Sequence, residues 1–432
     1  MRLVPNAILK YFGREGTGAW LFTLSLSLRS CAIKLFYMID IYLVLFSFLF
    51  SCVVTLYAVP SLIKLAYQKR LFDDPALEER KIHKYRTPNL GGIAVLTSFT
   101  FTACLSISGS VLPYANYIFA SGLLIFLVGL KDDLTALNPY KKFLAQAITA
   151  LIVVYFADIR LTSFYGIFGI HDIHPVISYL FSSLLIVFII NAFNLIDGIN
   201  GLLGSVSMIV SITFGYIFFR MQEYGLAILA MSMAGSVIGF LRYNAGRARI
   251  FMGDAGAYTI GFIVSVLAIQ FIELNKVQGI TPVDGSLIQS VPAVAIAILI
   301  IPIFDTLRVI VIRLIKGKSP FIADSNHLHH RLLDTGMTHT QATLVLSSFN
   351  VLMIGIALSF QQIGTVELLI LIGLVALLMN SMLWLYDVRQ VIVQPPTLVV
   401  EEDEEKIYQL RDHAREVAEE ALQQYEEKQH QN

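Results

Sequence analysis

The chain has 432 residues, of which 56% are hydrophobic and 14% charged, with a formal net charge of zero. A soluble domain is about one-quarter charged, and a balanced charge excludes nucleic acid as a partner. The apolar residues gather into blocks approaching the ~20 residues that cross a bilayer, which excludes a soluble core protein. The three cysteines, Cys31, Cys52 and Cys104, lie in or beside apolar stretches without paired spacing, so neither a disulfide framework nor a metal site is indicated.

Residues 1–37 form an N-terminal extension whose apolar run, Trp20–Leu28, is too short to span a bilayer. Met38 opens directly into the first strong span, so the extension is expected to be dispensable. Spans are predicted over 40–63, 92–112, 115–130, 144–157, 177–193, 201–219, 226–241, 257–273, 291–314, 344–360 and 365–386. The fold class is therefore all-α, a polytopic transmembrane helical bundle of about eleven spans. Its transmembrane domain covers 38–390, and a charged helical tail covers 391–432.

The loops alternate in charge. One set carries Lys69, Arg70, Arg80, Lys81, Lys84 and Arg86, then Lys131, Lys141 and Lys142, then Arg242, Arg247 and Arg249, then Lys316, Lys318 and Arg331; the other carries little beyond Arg160, Arg220 and Lys276. Positive loops stay inside, so the N-terminus is expected outside and the C-terminus in the cytoplasm. The tail opens on the acidic run Glu401–Glu405 and reads as a solvated helix, with partner binding as the alternative.

Ionisable groups at membrane edges are costly and need a reason. Four such groups fall on the side predicted to be cytoplasmic. Asp132 and Asp133 are adjacent carboxylates followed by Lys142 and Gln146; a site that keeps both offers a cation or uses one as a base, whereas a plain helix end is the structural alternative. Asn191, Asn194, Asp197 and Asn200 recur every third residue at a helix end, with Gly198 and Gly201 opening the backbone. Amides there suit a base or sugar. Asp254 lies between glycines just before a span and suits Mg²⁺, which takes one or two carboxylates plus phosphate oxygens; Phe251 before it suits stacking or core packing. His327, His329, His330 and Arg331 follow Asp324; their spacing misses the common zinc motifs and suits phosphate. Lys81 and His83, in a basic stretch ending at Gly91-Gly92, could guide an anionic substrate or serve topology alone.

Carboxylates for a metal, cations for phosphates and amides for a polar head imply phosphoryl transfer between a soluble phosphorylated donor and an anionic lipid. The order of the strings Thr87-Pro88 with Gly91-Gly92, Asp132-Asp133, Asn191 to Gly201, Phe251 to Gly256 and His327 to His330 resembles the polyprenyl-phosphate N-acetylhexosamine-1-phosphate transferase family (glycosyltransferase 4 family) over about Met38 to Tyr386. That resemblance implies a magnesium ligand at Asp254, assisted by Asn194, with Mn²⁺ admitted beside Mg²⁺. It implies a base for the lipid phosphate at Asp132, with Asp133 as its partner. It implies donor binding by Asn194 and Asp197, uracil stacking on Phe251, lipid phosphate near Lys142, and the histidines His327, His329 and His330 close to the donor; from their own chemistry Asn191, Asn200, Lys81, His83 and Arg331 are added as substrate-binding candidates.

The chain departs from the family's usual pattern at three places. Asn200 stands where the family usually has Asp, Ala257 where it usually has Ser, and Leu-Thr-Ala-Leu (134–137) where many members carry a third acid. The form Asp324-x-x-His327-x-His329-His330-Arg331 resembles WecA-type members more than the peptidoglycan enzyme. The expected reaction is transfer of N-acetylglucosamine-1-phosphate, or a related N-acetylhexosamine-1-phosphate, from a UDP-sugar to undecaprenyl phosphate, releasing UMP, in the cytoplasmic membrane, as the first membrane step of envelope polysaccharide synthesis. A second copy of the chain is kept as a partner. The alternatives are a muramoyl-pentapeptide phosphotransferase of peptidoglycan synthesis, a secondary transporter, whose polar groups would lie near the midplane, and an inactive lipid-binding relative.

Overall fold

A computed structural model describes residues 17–71, 87–109, 111–278, 288–319 and 326–393. Lys81, His83, Asp324 and the acidic tail lie outside the described residues. Thirteen α-helices follow one another among those described: α1 (Thr17–Lys69), α2 (Gly91–Ser106), α3 (Ala115–Leu134), α4 (Pro139–Phe156), α5 (Pro175–Leu195), α6 (Leu202–Arg220), α7 (Tyr224–Asn244), α8 (Gly253–Gln278), α9 (Val291–Ile298), α10 (Ile300–Ile315), α11 (Leu328–Asp334), α12 (His339–Ser359) and α13 (Thr365–Val393). The described residues form no strand, only an isolated bridge between Ser163 and Asp172. Contacts divide the chain into residues 1–376 and 377–432; the described part of the second is the end of α13.

Seven of these helices are long and apolar enough to cross a membrane, or eight if one bent pair counts as a span. The chain is thus an all-helical membrane protein. The predicted span 92–112 is the 16-residue helix α2, short for a bilayer. The predicted span 291–314 is two helices, α9 and α10, bent by 83°. Pro302 lies in the first turn beyond the bend. In a continuous helix its N–H would bond the carbonyl of Ile298, but proline has no N–H to give. The buried Asn350 amide of α12 donates to that carbonyl instead, at 3.1 Å.

Local sequence explains where helices begin. Pro139 and Pro175 occupy first-turn positions, where a missing N–H costs nothing. Asn138 caps α4 by accepting from Tyr140 N at 3.0 Å, and Thr338 with Gln341 forms a reciprocal capping box on α12.

The helix that positions the site is α8. Its membrane window is entirely buried, as an all-round apolar helix requires, and α2, α3, α5 and α6 pack on it. Close approach to α3 depends on Gly129: a β-carbon there would lie 2.6 Å from the Ala255 Cα. At the far end of α8, Glu273 accepts from Thr162 N (3.0 Å) and Thr162 Oγ1 (2.5 Å), and Lys276 pairs with Asp172 at 2.9 Å. The connection 157–174 is thereby tied down away from the carboxylates described next.

Candidate active site

The C-terminal end of α3, the N-terminal end of α4 and the N-terminal end of α8 meet at one point. Asp132 is buried there. Its Oδ2 lies 2.5 Å from Lys142 Nζ and 3.2 Å from the Tyr258 hydroxyl, and its Oδ1 accepts from Leu137 N at 2.9 Å. Asp254 shares both neighbours: Lys142 Nζ is 3.8 Å from its Oδ2 and the Tyr258 hydroxyl 3.5 Å. Two carboxylates therefore face one ammonium and one phenol. The segment 134–137, which lacks an acid, supports Asp132 through its backbone.

Asp133 does different work. Its Oδ1 accepts from Asp254 N (2.7 Å) and Asn89 Nδ2 (3.0 Å), and its Oδ2 accepts from Ala255 N (3.0 Å). It caps α8 from α3, satisfying two of the orphan donors of that helix end. Asp197, in the turn after α5, lies beside the Gly253 backbone. Its carboxyl is pushed well above the usual carboxylate range, first by burial and then by the charges of Asp254 and Asp133. Asp133 thus holds the start of α8, with Asp254 in its first turn and Asp197 close by.

The histidine segment reaches the same turn. His329 is 1% exposed, and its ring lies directly against Gly198, with no room for a β-carbon there. Both its ring nitrogens are buried without a hydrogen-bond partner, and burial drives its pKa down from 6.5 to about 3. His327 stacks on it with ring centroids 5.6 Å apart, and the His330 ring centroid lies 4.4 Å from that of His329. His330 is also shifted down by burial.

The predicted residues therefore join as one chain of contacts: Asp132, Lys142 and Asp254, then Asp133 and Asp197, then Gly198 and His329. Others serve the frame. Asn191 exchanges amide bonds with Gln146 across α4 and α5, at 2.7 Å and 3.3 Å. Asn200 donates through Nδ2 to Gly246 O at 2.8 Å, and its N–H points at His339 Nδ1 at 3.3 Å. The Phe251 backbone bonds Pro88 O and Gly91 N, both at 2.8 Å, pinning the start of α2 beside the site. Asn194 is half-buried, and its carbonyl accepts from Asp197 N at 3.2 Å. Arg331 lies on α11, half-buried.

Four residues escaped the sequence reading. Tyr258 and Asn89 bind the carboxylates above. Asn244 accepts from Gly201 N and donates to Ile250 O. Asp305 holds His327, as described below. Asp305 alone carried a signal, a lone carboxylate in an apolar run. Among the described residues no three His, Cys, Asp or Glu side chains form a metal cage; the carboxylates nearest a shared cation are Asp132 and Asp254.

Residues 115–272 match the model of glycosyl transferase family 4. The chain is 32% identical over 291 residues to the undecaprenyl-phosphate alpha-N-acetylglucosaminyl 1-phosphate transferase of Escherichia coli O157:H7, covering 66% of this chain and 75% of that protein. It is 30% identical over 302 residues to the protein of the same name from Salmonella typhi, covering 68% and 78%. It is 31% identical over 288 residues to the decaprenyl-phosphate N-acetylglucosaminephosphotransferase of Mycolicibacterium smegmatis, covering 62% and 70%.

Proposed function

The chain belongs to glycosyl transferase family 4, and on that premise we propose that it transfers N-acetylglucosamine-1-phosphate from UDP-N-acetylglucosamine to undecaprenyl phosphate, releasing UMP. It is a membrane phosphotransferase. The observation that carries the reading is the convergence of Asp132, Lys142 and Asp254 at the joined ends of α3, α4 and α8. The names of the relatives favour N-acetylglucosamine over a muramoyl-pentapeptide donor.

In this reading an oxygen of the lipid phosphate attacks the β-phosphorus of the UDP-sugar, the bond from that phosphorus to the bridging oxygen breaks, and UMP leaves. Asp132 Oδ2 takes any proton left on the lipid phosphate. Lys142, already held between Asp132 and Asp254, attracts the lipid phosphate and offsets the charge it brings. Tyr258 keeps the two carboxylates in register. Asp133 fixes the start of α8, and with it the position of Asp254. Asp197 and Asn194 line the adjoining turn for the donor, with Asn191 and Asn200 holding that turn in place, and Phe251 stands beside it as a stacking surface for the base.

The donor set suits Mg²⁺, or Mn²⁺ in its place. Asp133 binds the backbone of Asp254 itself and Asp197 lies within the field of both carboxylates, and Mg²⁺ binds through one or two carboxylates with phosphate oxygens completing its shell. Asp254 would hold it, assisted by Asn194. Bound there, the cation supplies charge neutralisation of the pyrophosphate.

The carboxylate end of the helices carries Lys131, Lys141 and Lys142, and the opposite end carries Arg160 and Lys276. By the positive-inside rule this supports a site on the cytoplasmic face of the inner membrane, with the N-terminus outside. The test uses the full chain purified in detergent with undecaprenyl phosphate, Mg²⁺ and a panel of UDP-sugars. UMP release with UDP-N-acetylglucosamine that disappears in Asp254→Ala and on chelation is the expected result. Release only with the muramoyl-pentapeptide donor overturns the sugar, and no release from folded protein overturns the reading.

A further inference from the structure

Beyond the carboxylate cluster, one buried acid is aimed at the histidines. Asp305 lies on α10 and is 1% exposed. Its Oδ2 is 2.9 Å from His327 Nδ1, and its Oδ1 accepts from Leu328 N at 2.8 Å. One turn later Arg308 donates through Nη1 to Asn326 O at 2.6 Å and lies 3.6 Å from Asp305 Oδ1. A single turn of α10 thus grips three consecutive residues, 326 to 328.

We infer that Asp305 is a positioning residue for the transfer reaction, setting the ring orientation of His327 and the register of α11, and through them the seat of His329 against Gly198. The inference rests on the proposed phosphotransfer and extends it to a residue outside the site motifs. Three observations lead to it. First, α11 has seven residues, too few to be stable as an isolated helix, so its place must come from outside. Second, His327 occupies the N-cap position of α11 without capping it through its side chain; Asp305 Oδ1 accepts the first N–H instead. Third, a carboxylate can only accept, so His327 Nδ1 carries the proton toward Asp305, and the pair fixes the orientation of the ring. A buried acid with both oxygens committed to one short segment is costly to maintain, and the histidine segment is what it holds.

The experiment compares Asp305→Asn, His327→Asn and the double variant in full-length protein in detergent, with UDP-N-acetylglucosamine and undecaprenyl phosphate. Asparagine keeps an oxygen for Leu328 N but turns an N–H toward His327 Nδ1, forcing the other tautomer. Expected are unchanged elution and melting, a roughly 10- to 100-fold fall in kcat, an unchanged KM for the lipid, and little further loss when Asp305→Asn is added to His327→Asn. Wild-type kcat in Asp305→Asn, or losses that simply multiply in the double variant, overturn the inference while the phosphotransfer stands. Absence of UMP from wild-type protein overturns both. Should Asp305→Asn fail to fold, Asp305→Ser, too short to reach His327, is compared with His327→Asn by the same criterion.

Discussion

Gly198 and His329 occupy the same space in the sense that matters: the imidazole fills the volume a β-carbon at position 198 would need. This contact is where the Asn191–Gly201 turn meets the histidine segment, two stretches more than a hundred residues apart in sequence. Gly198→Ala is therefore an overpacking change against a buried ring. It should cost about 1–3 kcal/mol and lower the melting temperature in detergent. His329→Ala placed on top should recover stability relative to Gly198→Ala alone, because it empties the contested volume. Equal melting of Gly198→Ala and wild type would mean the ring moves freely.

Burial of His329 gives stability a pH dependence of known sign. In the fold the ring stays neutral down to about pH 3, whereas in the unfolded chain it takes a proton near 6.5. Between those values the unfolded state binds more protons, so stability is full above about 6.5 and is lost progressively as pH falls toward 3. His330, shifted in the same direction, adds to the slope. Melting curves from neutral to about pH 5 should fall less steeply in His329→Asn than in wild type. Parallel curves would contradict a neutral buried ring.

The polar site was legible in the sequence because polar residues at membrane edges stand out against apolar spans. Asp132, Lys142, Asp197 and Asp254 were read for that reason, and they meet. What was not legible depends on which atoms are left needing a partner. Tyr258 follows Asp254 by one helical turn and reads as core; only the fold puts its hydroxyl between two carboxylates. Asn191 looked like a ligand group, yet Gln146 of α4 takes up its amide. Asp305 was absorbed into the predicted span 291–314, although a carboxylate inside an apolar run is itself a signal.

Asn200 illustrates a departure from the family pattern with a structural cause. Its Nδ2 donates to Gly246 O at 2.8 Å, and its carbonyl accepts from Thr343 Oγ1 at 3.0 Å. An aspartate has no donor for Gly246 O and would set two oxygens against each other. Asn200→Asp should thus destabilise the chain by about 1 kcal/mol, read as a lower melting temperature. A variant as stable as wild type, with altered donor KM, would move Asn200 from the frame into the substrate site.

The bend between α9 and α10 supplies a last test, because it sets the direction in which α10 carries Asp305 toward His327. Pro302 removes the donor that Ile298 O would otherwise have, and Asn350 replaces it from α12. Asn350 is fully buried, so Asn350→Leu leaves that carbonyl unpaired in an apolar surrounding and should cost about 1–3 kcal/mol. Pro302→Ala restores a backbone N–H near the same carbonyl. If the bend arises from the missing donor, Pro302→Ala should rescue part of the stability lost in Asn350→Leu while reducing UMP release, because a straightened α10 carries Asp305 away from the histidines. Additive melting losses with unchanged UMP release would show that the bend is set by the packing of α12 on α9 and not by the proline.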